Sequence, residues 1–188
     1  MKYYDTKSLR AQGLAESNLA REYPFQRLPQ KYKKSVRKEV WELSENSAGV
    51  SISFLSDTTE IVVKWSLKHD LKMNHMTDAG IKGIDLYEKK NDNWHYIGTG
   101  LPNGKKNEKT LLKDASKTLR EYCLYLPLYD TVTNLQLGLD DDCIFEEAIN
   151  KNRPIVFYGT SITQGGCASR PGLVHTNIIS RKLDHECI

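Results

Sequence analysis

The hydrophobic pattern of this 188-residue chain changes period once, near residue 148, and that change limits the folds open to it. From about residue 36 to 147 apolar and polar residues alternate. Val50, Ile52 and Phe54 are separated by Ser51 and Ser53, and Ile61, Val63, Trp65 and Leu67 by Val62, Lys64 and Ser66. A period of two lines one face of a strand with apolar side chains and sets it against a core. Gly83–Glu88, Trp94–Ile97, Arg120–Leu126 and Leu135–Leu139 read as further strands. Turn clusters separate them, among them Asp78-Ala79-Gly80, Lys90-Asn91-Asp92-Asn93 and Pro102-Asn103-Gly104. Short strands divided by regular turn signals predict a mainly β fold, a sandwich of jelly-roll type.

Beyond residue 148 the alternation stops. Ile155-Val156-Phe157-Tyr158 is a continuous apolar run, the pattern of a strand buried on both faces in a parallel sheet. Gly159, Thr160 and Ser161 follow as a polar turn. Pro171-Gly172 opens a predicted helix in which Val174, Ile178, Ile179 and Leu183 share a face. Strand, turn and helix make the first β-α unit of an α/β domain. One such unit cannot cover both faces of its strand, so the chain is expected to carry a complete β domain and the start of a second. The expected division is an N-terminal extension over 1–30, a sandwich over 31–149 and an α/β fragment over 150–188.

Composition excludes several classes. The 27 Lys and Arg stand against 24 Asp and Glu, and no apolar run approaches the roughly 20 residues of a membrane span. The first twenty residues lack the apolar core of a signal peptide. Residues 1–40 hold ten Lys or Arg and four Asp or Glu, with Lys31, Lys33, Lys34, Arg37 and Lys38 in one stretch. Aromatics do not alternate with these charges beyond the single Tyr32, so they read as a solvated connector and not as a nucleic-acid platform. Cys123, Cys143, Cys167 and Cys187 are too sparse for a disulfide scaffold and lack metal-ligand spacing, so no metal is expected.

Chemistry concentrates in Ile155–Gly172, IVFYGTSITQGGCASRPG. A serine in a tight turn at the carboxyl end of a buried parallel strand sits where α/β enzymes place nucleophiles and ligands. Flanking glycines allow the backbone to approach a substrate, and amides after the serine can face a developing oxyanion. The spacing is neither a G-x-S-x-G elbow nor a P-loop, because no Lys follows the glycines.

Here the sequence resembles the SGNH (GDSL-like) hydrolases. Gly159-Thr160-Ser161-Ile162 stands in the place of their G-D-S-[LI] block, with Thr160 for the Asp. It resembles most the branch in which a β-sandwich bearing a GxDLY motif precedes the hydrolase domain. Gly83-Ile84-Asp85-Leu86-Tyr87 matches that motif. His75-Met76, Tyr125-Leu126-Pro127-Leu128-Tyr129 and Cys167-Ala168-Ser169-Arg170-Pro171-Gly172 also look like that branch. The resemblance implies a serine esterase that removes a short acyl group, such as acetyl, from a small ester or acylated carbohydrate. It needs no cofactor, and the family suggests a secreted or periplasmic protein. Ser161 would be the nucleophile and would lend its N–H to the oxyanion.

Arg170, Gly165, His75 and Asp85 are the candidate substrate contacts. For Asp85, inside an apolar strand, internal partners are the competing reading; for Arg170, a salt bridge holding its loop. His75 would serve as base only by reaching Ser161 across a domain interface, oriented by Asp78 or Asp85. The family's later blocks supply a Gly and an Asn to the oxyanion hole and an Asp-x-x-His base, and none follows Ser161. The chain alone is therefore expected to be inactive. A second class stays open: a non-catalytic carbohydrate-binding or interaction module, for which Trp65, Trp94, Tyr87 and Tyr125 could form a stacking face, although aromatics at alternating strand positions are more often core. The sequence is silent on oligomeric state.

Overall fold

A computed structural model describes residues 1–148, 150 and 152–188; the predicted domain boundary at Ile149 lies outside the described residues. In chain order the elements are β1 (Lys2–Asp5), β2 (Ala11–Gln12), α1 (Lys38–Ser44), β3 (Ser51–Ser56), β4 (Ile61–Leu67), α2 (Asp78–Lys82) and β5 (Ile84–Lys90). They continue with β6 (Asn93–Gly100), β7 (Lys106–Leu112), β8 (Arg120–Tyr125), β9 (Val132–Leu139), β10 (Phe145–Glu147), α3 (Ser161–Gln164) and α4 (His175–Leu183). The fold is mainly β. One sheet has the order β1-β9-β4-β7, and the other β10-β3-β8-β5-β6 with β2 paired to β3; all these pairs are antiparallel.

The inward residues of the two sheets form the main core. Ile52, Phe54, Ile61, Val63, Trp65, Ile84, Leu86, Leu124, Leu135 and Leu137 are all buried there, at the alternate positions that the period of two marks. Trp65 also donates its indole N–H to the carbonyl oxygen of Lys82 (3.1 Å), which satisfies its polar edge inside the core.

Three expectations need correction. The first 30 residues are not an extension outside the sandwich: β1 pairs with β9, and Leu14 and Phe25 enter the main core. The short strand β1 carries Lys2 and Asp5, and no alternation long enough to read. Second, Ser51 and Ser53 do not face water. They are buried, because the polar face of the β3-β8-β5 sheet lies beneath the C-terminal part of α4. Third, Ile155–Tyr158 is not buried on both faces. Ile155 forms a parallel bridge with Cys187, while Val156 and Tyr158 are largely exposed. The bridge is held by Ile155 N–H to Glu186 O (2.9 Å), Ile188 N–H to Ile155 O (2.9 Å) and Phe157 N–H to Ile188 O (2.7 Å). With α4 as crossover this is a β-α-β unit, and the described residues place no further strand beside it. The predicted helix begins at His175, after a 3-10 turn over Pro171–Leu173, and Leu183 at its end is exposed.

The turn between the sheets at Thr59 carries a pH-dependent tie. Asp140 accepts from the Thr59 N–H (2.6 Å) and hydroxyl (2.8 Å), and the amide above all holds its carboxyl below the usual range. A carboxylate depressed in the folded state stabilises above its unfolded pKa, about 3.9, and loses that contribution as pH falls through the folded value. Asp140→Asn is therefore expected to lower the melting temperature at pH 7 by an amount that shrinks as pH falls below about 4; a loss that does not change with pH would contradict the linkage.

Candidate active site

Ser161 is the first residue of α3, a single helical turn that begins where the Ile155–Tyr158 segment ends. Its local geometry follows from two glycines. A Cβ at Gly159 would collide with the Thr163 side chain, so only glycine lets the turn fold back so tightly. Gly165 closes the turn at φ +106°, in the left-handed region, and its N–H donates to Ile162 O (3.1 Å).

The turn is anchored to the sandwich through its other groups. The Ser161 carbonyl oxygen accepts from the Gly166 N–H (2.7 Å) and the Tyr129 hydroxyl (3.0 Å). One turn on, buried Gln164 donates to Leu128 O (3.1 Å) and accepts from Arg27 Nη2 (3.0 Å). The serine residue itself remains exposed, and among the described residues nothing accepts from the amides of Ser161, Ile162 and Thr163. Unpaired first-turn amides beside a hydroxyl can stabilise negative charge developing on a bound carbonyl oxygen.

Ser161 opens onto a cleft of about 650 Å³. Leu28, Val40, Leu43 and Phe157 give it an apolar lining, and Arg27, Arg37 and Tyr129 line it as well. No histidine and no side-chain carboxylate is among its lining residues.

The predicted substrate contacts do not converge there. His75 is exposed and lies outside the cleft lining, and Asp78 is taken up by Lys82 (3.2 Å). Asp85 cannot orient His75 because its own partners are elsewhere. Its fully buried carboxylate accepts from Arg170 Nη1 (2.6 Å), the Gly172 N–H (2.8 Å) and the Thr99 hydroxyl (2.6 Å). Arg170 also donates to the Tyr87 hydroxyl (2.7 Å) and lies 3.9 Å over the Tyr96 ring. Burial alone would lower the Arg170 pKa; the hydrogen bonds to Asp85 and Tyr87 outweigh it and raise the value. The internal reading of both residues is the one the geometry supports. Gly165 is buried, with its Cα turned against Val174 and Leu128, so it faces the interior and not the cleft. The chain does hold one Asp-x-x-His spacing, Asp92–His95, but it lies on the exposed β5–β6 hairpin, before Ser161 in sequence and outside the cleft lining.

The motif segments do converge, on the contact between the sandwich and residues 168–181. Gly172 packs so closely on Tyr87 and Asp85 that a Cβ would come within 2.8 Å of the carboxylate oxygen. The Thr77 hydroxyl donates to Ser169 O (2.5 Å), and Met76 and Ala168 pack on the small core of Ile81, Leu128, Tyr129 and Val174. Arg181 of α4 lies 3.9 Å over the Tyr87 ring and donates to Gly172 O (2.7 Å). Trp65, Tyr87 and Tyr125 are buried and Trp94 is half-buried, so these aromatics form no open stacking face. Sequence reasoning missed Arg27, Tyr129 and Gln164. Gln164, three residues after Ser161, and Tyr129, at the end of the Tyr125–Tyr129 motif, had weak signals; Arg27 arrives from a distant segment and had none.

Comparison with known proteins agrees with this arrangement. Residues 1–145 match the family model described as GxDLY, the N-terminus of SGNH-hydro-type esterases, and residues 152–188 match the GDSL-like lipase/acylhydrolase family. A solved protein of Bacteroides ovatus ATCC 8483, described as a GDSL-like lipase, is 32% identical with a TM-score of 0.93; the match covers all of this chain and 55% of that one. A salicylyl-acyltransferase from a tetracycline biosynthetic pathway (14% identity, TM-score 0.72) and an acetyl xylan esterase from Butyrivibrio proteoclasticus (14%, 0.58) share the fold, each over the whole chain and over 54% and 48% of their own. The chain thus spans about half the length of these structures. A search of curated proteins found no match. A GxDLY sandwich joined through its own motif to a GDSL-like first block identifies the chain as a member of the SGNH-hydro-type esterase family.

Proposed function

We propose that Ser161 is the nucleophile of an ester hydrolase acting on a short acyl ester, with an acetylated carbohydrate as the favoured class. The observation that carries this reading is the position of Ser161. Its residue is exposed at the head of a tight turn after a parallel-bridged segment, beside unbonded amides and at the lip of a cleft. The hydroxyl would give its proton to a base from outside the cleft lining and attack the ester carbonyl, and the amides would receive the oxyanion. The alcohol would leave with a proton as the acyl-serine forms, and water would hydrolyse that ester to the free acid and restore the serine. The acetyl xylan esterase among the structural neighbours supports the carbohydrate side of the proposal.

A serine hydroxyl is a weak nucleophile at neutral pH without a base in hydrogen-bond reach, and no lining residue of the cleft supplies one. Loss of such a base typically lowers rates by about 10⁴-fold or more. The 188-residue chain is therefore expected to hydrolyse p-nitrophenyl acetate at the background rate. Imidazole supplied as an external base should nonetheless leave acetyl on Ser161, read by peptide mass spectrometry and absent in Ser161→Ala. Acetyl found on lysines alone would refute the nucleophile assignment. Turnover without imidazole that Ser161→Ala abolishes would refute the missing base.

A further inference from the structure

We infer that the cleft beside Ser161 selects an anionic ester, with Arg27, supported by Arg37, holding a carboxylate carried by the substrate; this rests on the reading of Ser161 as the reacting group. The Arg27 guanidinium is fixed by neutral acceptors only. Nε donates to Asn46 O (3.2 Å), and Nη2 donates to Leu43 O (2.7 Å) and to Gln164 Oε1 (3.0 Å). Nη1 donates to no protein atom among the described residues and is not sealed from solvent. Arg170, by contrast, is neutralised by Asp85 at 2.6 Å.

Side-chain charge in the cleft is of one sign. Among the described residues no carboxylate lies within 4.0 Å of Arg27 or of Arg37, and no side-chain carboxylate lines the cleft. Burial pushes the Arg27 pKa down to about 10, which leaves it cationic at neutral pH while its surroundings disfavour that charge. A half-buried cation without a counter-charge gains more from a bound anion than an exposed one, since little water screens the pair. The grip on Gln164 ties the same guanidinium to the turn that carries Ser161, so an anion on Arg27 is held in register with the hydroxyl. The cleft exceeds what an acetyl group alone fills, which leaves room for the rest of such an ester.

The test compares two probes differing in one charge, monoacetylated methyl glucuronide and monoacetylated methyl glucoside, titrated into the intact 188-residue protein and followed by amide and Arg Nε NMR shifts. The uronate is expected to bind about tenfold tighter at low salt, with shifts at Gly159–Thr163 and at Arg27. Its advantage should shrink below about twofold in Arg27→Met, survive in part in Arg27→Lys and fall as salt is raised. If Arg27→Met fails to fold, the salt titration and Arg37→Gln, expected to weaken the uronate about twofold, carry the test. Equal affinity of both probes, with the same amides shifted, would overturn the anion preference and leave the esterase reading intact. Shifts outside the cleft, or none, would overturn the inference, and acetylation of Ser161 decides separately whether the esterase reading falls with it.

Discussion

Replacing Asp85 by alanine is expected to lower the free energy of unfolding by about 3 kcal/mol, because it strips three partners at once. Arg170 loses its counter-charge, the Gly172 amide is left buried and unbonded, and the Thr99 hydroxyl loses its acceptor. The Arg170 side chain is 21% exposed, so water compensates part of its loss and the upper end of the range for buried pairs does not apply. Arg170→Met should cost less, about 1–2 kcal/mol, since the Asp85 carboxylate keeps its other two donors. The double variant should then be more stable than the sum of the single losses predicts, by about 1–2 kcal/mol. Urea unfolding of the four proteins measures this directly. Strict additivity would mean that the two side chains are neighbours without being partners.

The second large effect is expected at Trp65. Its ring fills the space between the sheets beside Ile84 and Gly100, where a Cβ on Gly100 would come within 2.9 Å of the indole. Trp65→Ala should cost about 3–5 kcal/mol, the cavity adding to the lost transfer energy. Trp65→Phe keeps most of the ring and orphans the Lys82 carbonyl, so a smaller loss of about 1–2 kcal/mol is expected. The difference between the two losses separates ring volume from the hydrogen bond. Equal losses would assign the whole effect to that bond.

Both predictions touch one organising feature. The GxDLY strand presents Leu86 and Ile84 to the sandwich core, while Asp85 and Tyr87 point to the opposite face, where they grip Arg170 and Gly172. Alternation along one strand thus serves two interfaces at once. The position of Ser161 depends on the same junction, through Tyr129, Leu128 and Arg27, all from the sandwich. The sandwich is in this sense the support of the turn that carries Ser161, and that turn is expected to lose its alignment when the junction is loosened.

Legibility from sequence varied with the range of the interaction. Period-two alternation marked β3, β4, β5, β8 and the second half of β9, because strand faces are set by the nearest covalent neighbours and by which of them water rejects. β7, LysAsnGluLysThrLeuLeu, escaped it: an edge strand exposed along most of its length needs no apolar face. The Gly159-Thr160-Ser161 turn and its glycines were also legible, since tight turns draw on backbone freedom that residue identity declares. The pairing of Asp85 with Arg170, 85 residues apart, the inward turn of Gly165, the burial of Ser51 and Ser53 under α4, and the lone Arg27 in the cleft were decided only by tertiary structure. A charge or a hydroxyl looks the same in sequence whether it meets solvent, substrate or a partner, and only the packing of distant segments chooses which.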